Sequence, residues 1–409
     1  MKDPLETALE DSDVKVDRGI ATKILIAVII GLITLAVFKP GARIPLAIVV
    51  GIILMVMLHE AGHYWAAKKS GMKVTEFFLG FGPRLWSFQR GETEYGVKAL
   101  PLGGYVRIIG MNNTEEVDPV DEPRTYRQGR YRNRLMVVLA GVTVNFIIAF
   151  LLFGAVLVGH GLAAPSTTVY SVSPDTAAHV AGLQRGDTIL AVAGQKVGSW
   201  DELKSAIEAR ADQDTTFTVE RDGQTVELTA VVGSRDGQGF LGVSPDSQFE
   251  KVGVLEAFPK TLTTMKDMTV GTGEALGRLF SPSGVTQYSK NFTSEAPKAG
   301  STADLERPRS LIGIVDQGST LVDNNVWALL WLLGGISLIL ALFNLIPLPP
   351  FDGGHAAIVV YEWAASKITH RKVEVDARKL LPVAAIVLAL LVTLSLSAMF
   401  LDIRQAVGQ

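Results

Sequence analysis

Long charge-free runs alternate with polar, glycine-punctuated stretches along this chain, and the apolar runs set its class. Five are long and apolar enough to cross a bilayer, from about Ile20 to Phe38, Ile44 to Ala67, Leu135 to Val158, Val326 to Phe351 and Leu380 to Leu401. The first is interrupted by Lys23 and preceded by an acidic tail, "ETALEDSD", with "FKPGARIP" after it as a tight turn rather than a cleavage site, so it reads as a retained helix. Between the third and fourth runs the pattern changes. From about Thr167 to Ser244, short alternating stretches such as "TTFTVERDGQTVELTAVV", with an Asp222-Gly223 turn, predict an α/β module with one helix across Trp200–Arg210, N-capped by Ser199. From Gly253 to Arg309 the chain is loop-like, and Leu255, Phe258, Leu262, Met265, Leu276 and Leu279 suggest one or two amphipathic helices at the membrane surface.

The segment "VTEFFLGFGPRLWSFQRGETEYGVKALPLGGYVRIIGM" alternates in parts and turns at Gly91 and Gly103-Gly104, which predicts short strands. The expected organisation is an acidic tail and extra helix (1–43), a membrane part with the β-hairpin loop (44–160), the module (165–250), a linker (251–325) and a second membrane part (326–409).

Charge orients this arrangement. The loop from Lys68 to Arg134 holds twelve Lys or Arg, and the loop between the last two runs adds Lys367, Arg371, Lys372, Arg378 and Lys379. By the positive-inside rule both face the cytoplasm, which puts the N-terminus inside and the module outside the plasma membrane. The net charge of −3 gives no footprint for nucleic acid. The chain has no cysteine, so any metal must be held by Asp, Glu or one of six histidines.

Candidate chemistry sits inside the second apolar run, "IVVGIILMVMLHEAGHYWAAKKS". A charged group at the centre of a spanning helix costs at least about 2.5–3.5 kcal/mol. His59-Glu60-Ala61-Gly62-His63 is an HExxH motif, in which two imidazoles four residues apart share a helix face with a glutamate beside them. The bland alternative is a helix end at the membrane boundary. A second stretch, "LFNLIPLPPFDGGH", cannot continue a helix through Pro347, Pro349 and Pro350, and broken backbone at membrane depth is tolerated only in protein or beside a wet cavity. Both stretches follow helices running from outside to inside, so Asp352 falls at the depth of His59 and His63. Two histidines, a carboxylate and an open position make the ligand set of a hydrolytic zinc site.

"HEAGH", "NLIPLPPFDGG" and the intervening module together resemble the site-2 protease family of intramembrane zinc metalloproteases, in its bacterial branch that cuts membrane-anchored transcriptional regulators. The resemblance spans roughly Pro45 to Leu401. It implies a polytopic α-helical membrane fold of about five spans, Zn2+ held by His59, His63 and Asp352, and Glu60 as the catalytic glutamate. It further implies hydrolysis within a transmembrane segment of a single-pass protein, such as an anti-sigma factor, after a first cut outside. A membrane receptor without hydrolytic activity is the alternative; transport fits poorly, because no helical repeat is visible.

The family often shows Gly-Pro-x-x-Asn where this chain has Gly141, Val142 and Asn145. Asn145 is a candidate for binding the substrate backbone or the oxyanion, or for ordinary interhelical bonding. Asn344 leans towards substrate positioning. His355 is expected beside the site rather than as a fourth ligand, since hydrolysis needs a vacant position. Family members use the hairpin to hold substrate extended; the same aromatic residues also suit an interfacial anchor. "SPDTAAHVAGLQRGDTILAVAGQKV" resembles the helix–turn–strand of bacterial PDZ domains, which implies a peptide ligand outside the membrane.

Overall fold

The structure is a computed structural model that describes residues 18–111, 115–174, 176–235, 237–293, 307–322 and 325–407. The acidic tail and the middle of the linker lie outside these residues. The chain divides into two compact units, Ala155–Ala257 and the remainder.

In the larger unit, α1 (Arg18–Phe38) ends in a tight turn and leads into α2 (Arg43–Lys69). Arg43 Nε donates to the Ala36 carbonyl at 2.9 Å, which satisfies an acceptor left open at the end of α1. Two long bent strands follow, β1 (Val74–Arg90) and β2 (Thr93–Ile108). They pair at two registers: Phe78 stands opposite both Tyr105 and Gly96, and Phe88 opposite Tyr95. Four strand segments therefore lie side by side in the order 104–108, 74–79, 94–97 and 86–90, a larger sheet than a run of short strands suggests. After α3 (Tyr131–Gly159) comes the smaller unit, and the chain returns through α6 (Val254–Leu279), α7 (Pro282–Lys290), α8 (Leu311–Val322), α9 (Val326–Asn344), α10 (Asp352–Thr369) and α11 (Leu381–Val407).

Among the described residues, four helical stretches are long and apolar enough to span a membrane: Pro40–Lys69, Tyr131–Gly159, Val326–Asn344 and Arg378–Gln405. The chain is a polytopic membrane protein. Their large apolar side chains, such as Val50, Leu54, Ile147, Leu151 and Leu388, face outwards, as lipid contact allows. The first expected span differs, since the apolar part of α1 covers only Thr22–Phe38. Pro259 falls in the second turn of α6 without breaking it, and Met265 is buried with Ala149, Phe153 and Leu338 of α3 and α9.

The smaller unit holds β3 (Leu162–Val172), α4 (Ala177–Val180), β4 (Thr188–Val192), β5 (Gln195–Lys196), α5 (Trp200–Glu208) and β6 (Asp214–Arg221). It continues with β7 (Gln224–Val231), β8 (Gly233–Arg235), β9 (Gln238–Phe240) and β10 (Val243–Glu250). Its main sheet runs β10-β3-β4-β6-β7, with β5 on β4. Asp222 and Gly223 both have positive φ, 50° and 77°, as a two-residue hairpin turn requires. Ser199 Oγ accepts the Glu202 N–H at 3.3 Å and caps α5. The core gathers Phe217, Val219, Ile189 and Leu203, each worth about 1.5–3 kcal/mol when buried.

Candidate active site

His59 and His63 lie one turn apart on α2, 7% and 6% exposed. Asp352 opens α10, reached through the irregular stretch 345–351 that the three prolines enforce. That stretch folds tightly over the start of α10. A Cβ on Gly354 would come within 2.5 Å of the Pro349 nitrogen, and one on Gly353 would collide with the Leu345 and Ile346 carbonyls. The two glycines after Asp352 thus allow the broken backbone to pack against the helix it precedes.

The 290-residue separation closes in space. The two imidazole Nε2 atoms are 3.2 Å apart, and Asp352 Oδ2 lies 3.1 Å from that of His59 and 3.3 Å from that of His63. Donor atoms held tetrahedrally at the ordinary zinc distances of ~2.0–2.1 Å stand about 3.3 Å from one another. The triangle therefore has the size that one zinc ion needs. Its chemistry agrees. His63 Nδ1 lies 2.8 Å from the Val137 carbonyl, which can only accept, so that nitrogen carries the proton and a neutral ring turns a lone pair towards His59 and Asp352. Converging lone pairs beside a carboxylate repel unless a cation lies among them. Asp352 Oδ2 is buried with no hydrogen-bond donor of its own.

Gly141 on α3 supplies the space. A Cβ there would stand 2.7 Å from His59 Nε2 and would collide with His63 Nε2. One turn further along α3, Asn145 is 1% exposed, with its amide nitrogen 3.2 Å from His59 Nδ1. Glu60 faces β2: a Cβ on Gly104 would lie 3.2 Å from its Cγ. Asn344 is the last residue of α9, half-buried, just before the break. Among the described residues His59, His63 and Asp352 form the group able to hold a metal ion, and His355 is not part of it.

A family model described as peptidase family M50 matches residues 47–392. The chain belongs to this family. The M50 peptidase is 34% identical to zinc metalloprotease Rip1 of Mycobacterium tuberculosis, over 83% of this chain and 92% of that one. It is 33% identical to metalloprotease MmpA of Caulobacter vibrioides, over 77% and 85%. A solved PDZ domain of an SdrC-like protein from Listeria innocua aligns with 21% of this chain and 99% of its own length, at 19% identity and a TM-score of 0.19. This M50 peptidase is an intramembrane zinc metalloprotease.

Sequence reasoning missed three parts of the site. The Val137 carbonyl that orients His63 is main chain and leaves no mark in the residue types. Gly141 was legible as part of a motif but not as the cavity. The buried pair Arg134–Glu362, which ties α3 to the helix carrying Asp352, joins residues 228 apart. A charged residue in each apolar neighbourhood was its one signal.

Proposed function

We propose that this M50 peptidase hydrolyses a peptide bond within the transmembrane segment of a single-pass membrane protein, such as an anti-sigma factor shortened beforehand by another protease. The observation that carries this reading is the triangle of His59, His63 and Asp352 donor atoms, two of them on α2, a helix long and apolar enough to span a membrane. Zinc held by His59, His63 and Asp352 would supply a Lewis acid for the scissile carbonyl and would make a nearby water more acidic. Glu60, adjacent to His59, takes the proton from the attacking water and passes it to the leaving amine. Asn145 and Asn344 are the candidates for hydrogen bonds to its backbone or to the developing oxyanion.

The sheet supports the same reading. A helical substrate hides its peptide bonds, whereas a strand added beside residues 104–106 would present an extended backbone next to Glu60. The basic loops support a topology with this end of the site on the cytoplasmic side and the module outside, which needs α1 as a fifth span. The module acts there as a PDZ-like reader of the shortened substrate.

Full-length protein with Glu60→Gln should keep zinc stoichiometry and lose cleavage of a reconstituted single-pass substrate. His59→Ala and Asp352→Ala should lose both. Near-normal turnover by the Glu60 variant would end this mechanism.

A further inference from the structure

The face of α3 turned to the metal site carries Val137, Gly141 and Asn145, spaced four residues apart and therefore aligned one above another. Two of them engage the outer nitrogens of the imidazoles. The Val137 carbonyl accepts a hydrogen bond from His63 Nδ1–H, at 2.8 Å. Asn145 faces His59 Nδ1 at 3.2 Å with its amide nitrogen, while Asn145 Oδ1 is buried without a partner. The first of these placements does not suit a ring that binds a metal. When His59 Nε2 presents its lone pair to a metal, a neutral ring must carry its proton on Nδ1. An amide nitrogen cannot accept that proton. Turning the amide by 180°, an exchange of two atoms of nearly equal size, brings Oδ1 onto Nδ1–H and moves the N–H2 group to the place Oδ1 held.

We propose that Asn145 is a positioning residue for the metal site: its Oδ1 accepts the His59 Nδ1 proton as the Val137 carbonyl accepts that of His63, so that α3 fixes both imidazoles from behind. Gly141, between the two, keeps the space in front of the Nε2 atoms open. The residue is itself held from two sides. Its backbone belongs to α3, and its carbonyl accepts a hydrogen bond from Ser337 Oγ of α9 at 2.9 Å. Partners that orient metal-bound histidines in this way commonly contribute about 10–100-fold to metal affinity. This proposal rests on His59, His63 and Asp352 being the zinc ligands.

The test is zinc affinity of full-length, detergent-purified protein, measured by competition with a chromogenic chelator. Asn145→Leu keeps the size but has no acceptor, and should weaken zinc binding about 10–100-fold. Asn145→Asp keeps the acceptor, and should bind zinc at least as tightly as the unaltered protein. Thermal unfolding of the zinc-free proteins is the control, since a packing role would shift it without separating the two variants in zinc affinity. If Asn145→Leu does not fold, a tenfold loss of affinity in Asn145→Asp overturns the proposal on its own. Unchanged affinity in Asn145→Leu overturns it as well. His59→Ala distinguishes the two readings: if it abolishes zinc uptake while Asn145→Leu does not alter it, the metal site stands and the assignment to Asn145 alone falls. If His59→Ala retains zinc, both fall.

Discussion

Arg134 Nη1 lies 2.7 Å from Glu362 Oε2, and the two side chains are 8% and 1% exposed. The pair joins the first turn of α3 to the middle of α10. Glu362 also accepts the Val375 N–H at 2.8 Å, and the Arg134 guanidinium stacks 4.9 Å from the centre of the Tyr126 ring. Since α3 carries Gly141 and Asn145 while α10 opens with Asp352, this ion pair ties the two outer walls of the site together. Arg134→Met leaves a buried carboxylate without its cation and should destabilise the protein by about 3–5 kcal/mol. The double variant Arg134→Met, Glu362→Leu should recover most of that loss. Thermal unfolding in detergent reads both, and a single variant that melts like the unaltered protein would refute the role.

Gly141→Ala introduces one methyl group into the space between the imidazoles. It should abolish stoichiometric zinc while leaving the helices formed, because alanine favours a helix more than glycine by about 1 kcal/mol. Metal content together with circular dichroism separates loss of the site from loss of the fold.

Glu92, at the tip of the hairpin, binds Arg124 through two hydrogen bonds of 2.7 and 2.9 Å and pairs with Lys68 at the end of α2. Arg124 above all, with Lys68 behind it, holds the Glu92 carboxyl down at about 2. The contact pins the sheet to α2. Glu92→Gln should cost roughly 0.5–1 kcal/mol and speed amide exchange in Glu92–Val97 before any other part of the membrane unit. Exchange rates equal to those of the unaltered protein would show that the tip is held by something else.

In the smaller unit, Asp187 accepts hydrogen bonds from Arg221 Nε and Nη2, both 2.7 Å, and from the Gln184 N–H at 2.8 Å. Burial alone would raise the Asp187 carboxyl, but these donors outweigh it and hold its pKa below the ordinary value. The folded unit therefore binds fewer protons than the unfolded chain. Its stabilisation is complete above the unfolded pKa of about 3.9 and is lost as the pH falls through the lower folded value. Arg221→Met should remove roughly 1.5–3 kcal/mol at neutral pH and move the onset of acid unfolding upwards. Amide exchange in β4 and β6, measured between neutral and acid pH, checks the sign.

How much of this was legible beforehand depends on the range of the interaction. His59 and His63 could be read as a pair because helix geometry fixes residues four apart on one face. The Asp222-Gly223 hairpin and the Ser199 cap were legible for the same reason, since each is decided within a few residues. Asp352 was legible less directly, through prolines that forbid a helix where hydrophobicity demands a span. Val137 and the ion pair of Arg134 with Glu362 were not legible. A carbonyl has no side chain to read, and a charge in a sequence does not name its partner.

The sequence by itself determined the membrane class, the helices, the two polar stretches and the ligand types, because hydropathy, backbone geometry and donor chemistry are properties of single residues and near neighbours. Tertiary structure alone decided that three donor atoms from remote stretches stand 3.1–3.3 Å apart, and that α3 backs them with a carbonyl, a gap and an amide. Those distances come from helix against helix, and packing of that kind depends on every contact in the bundle at once.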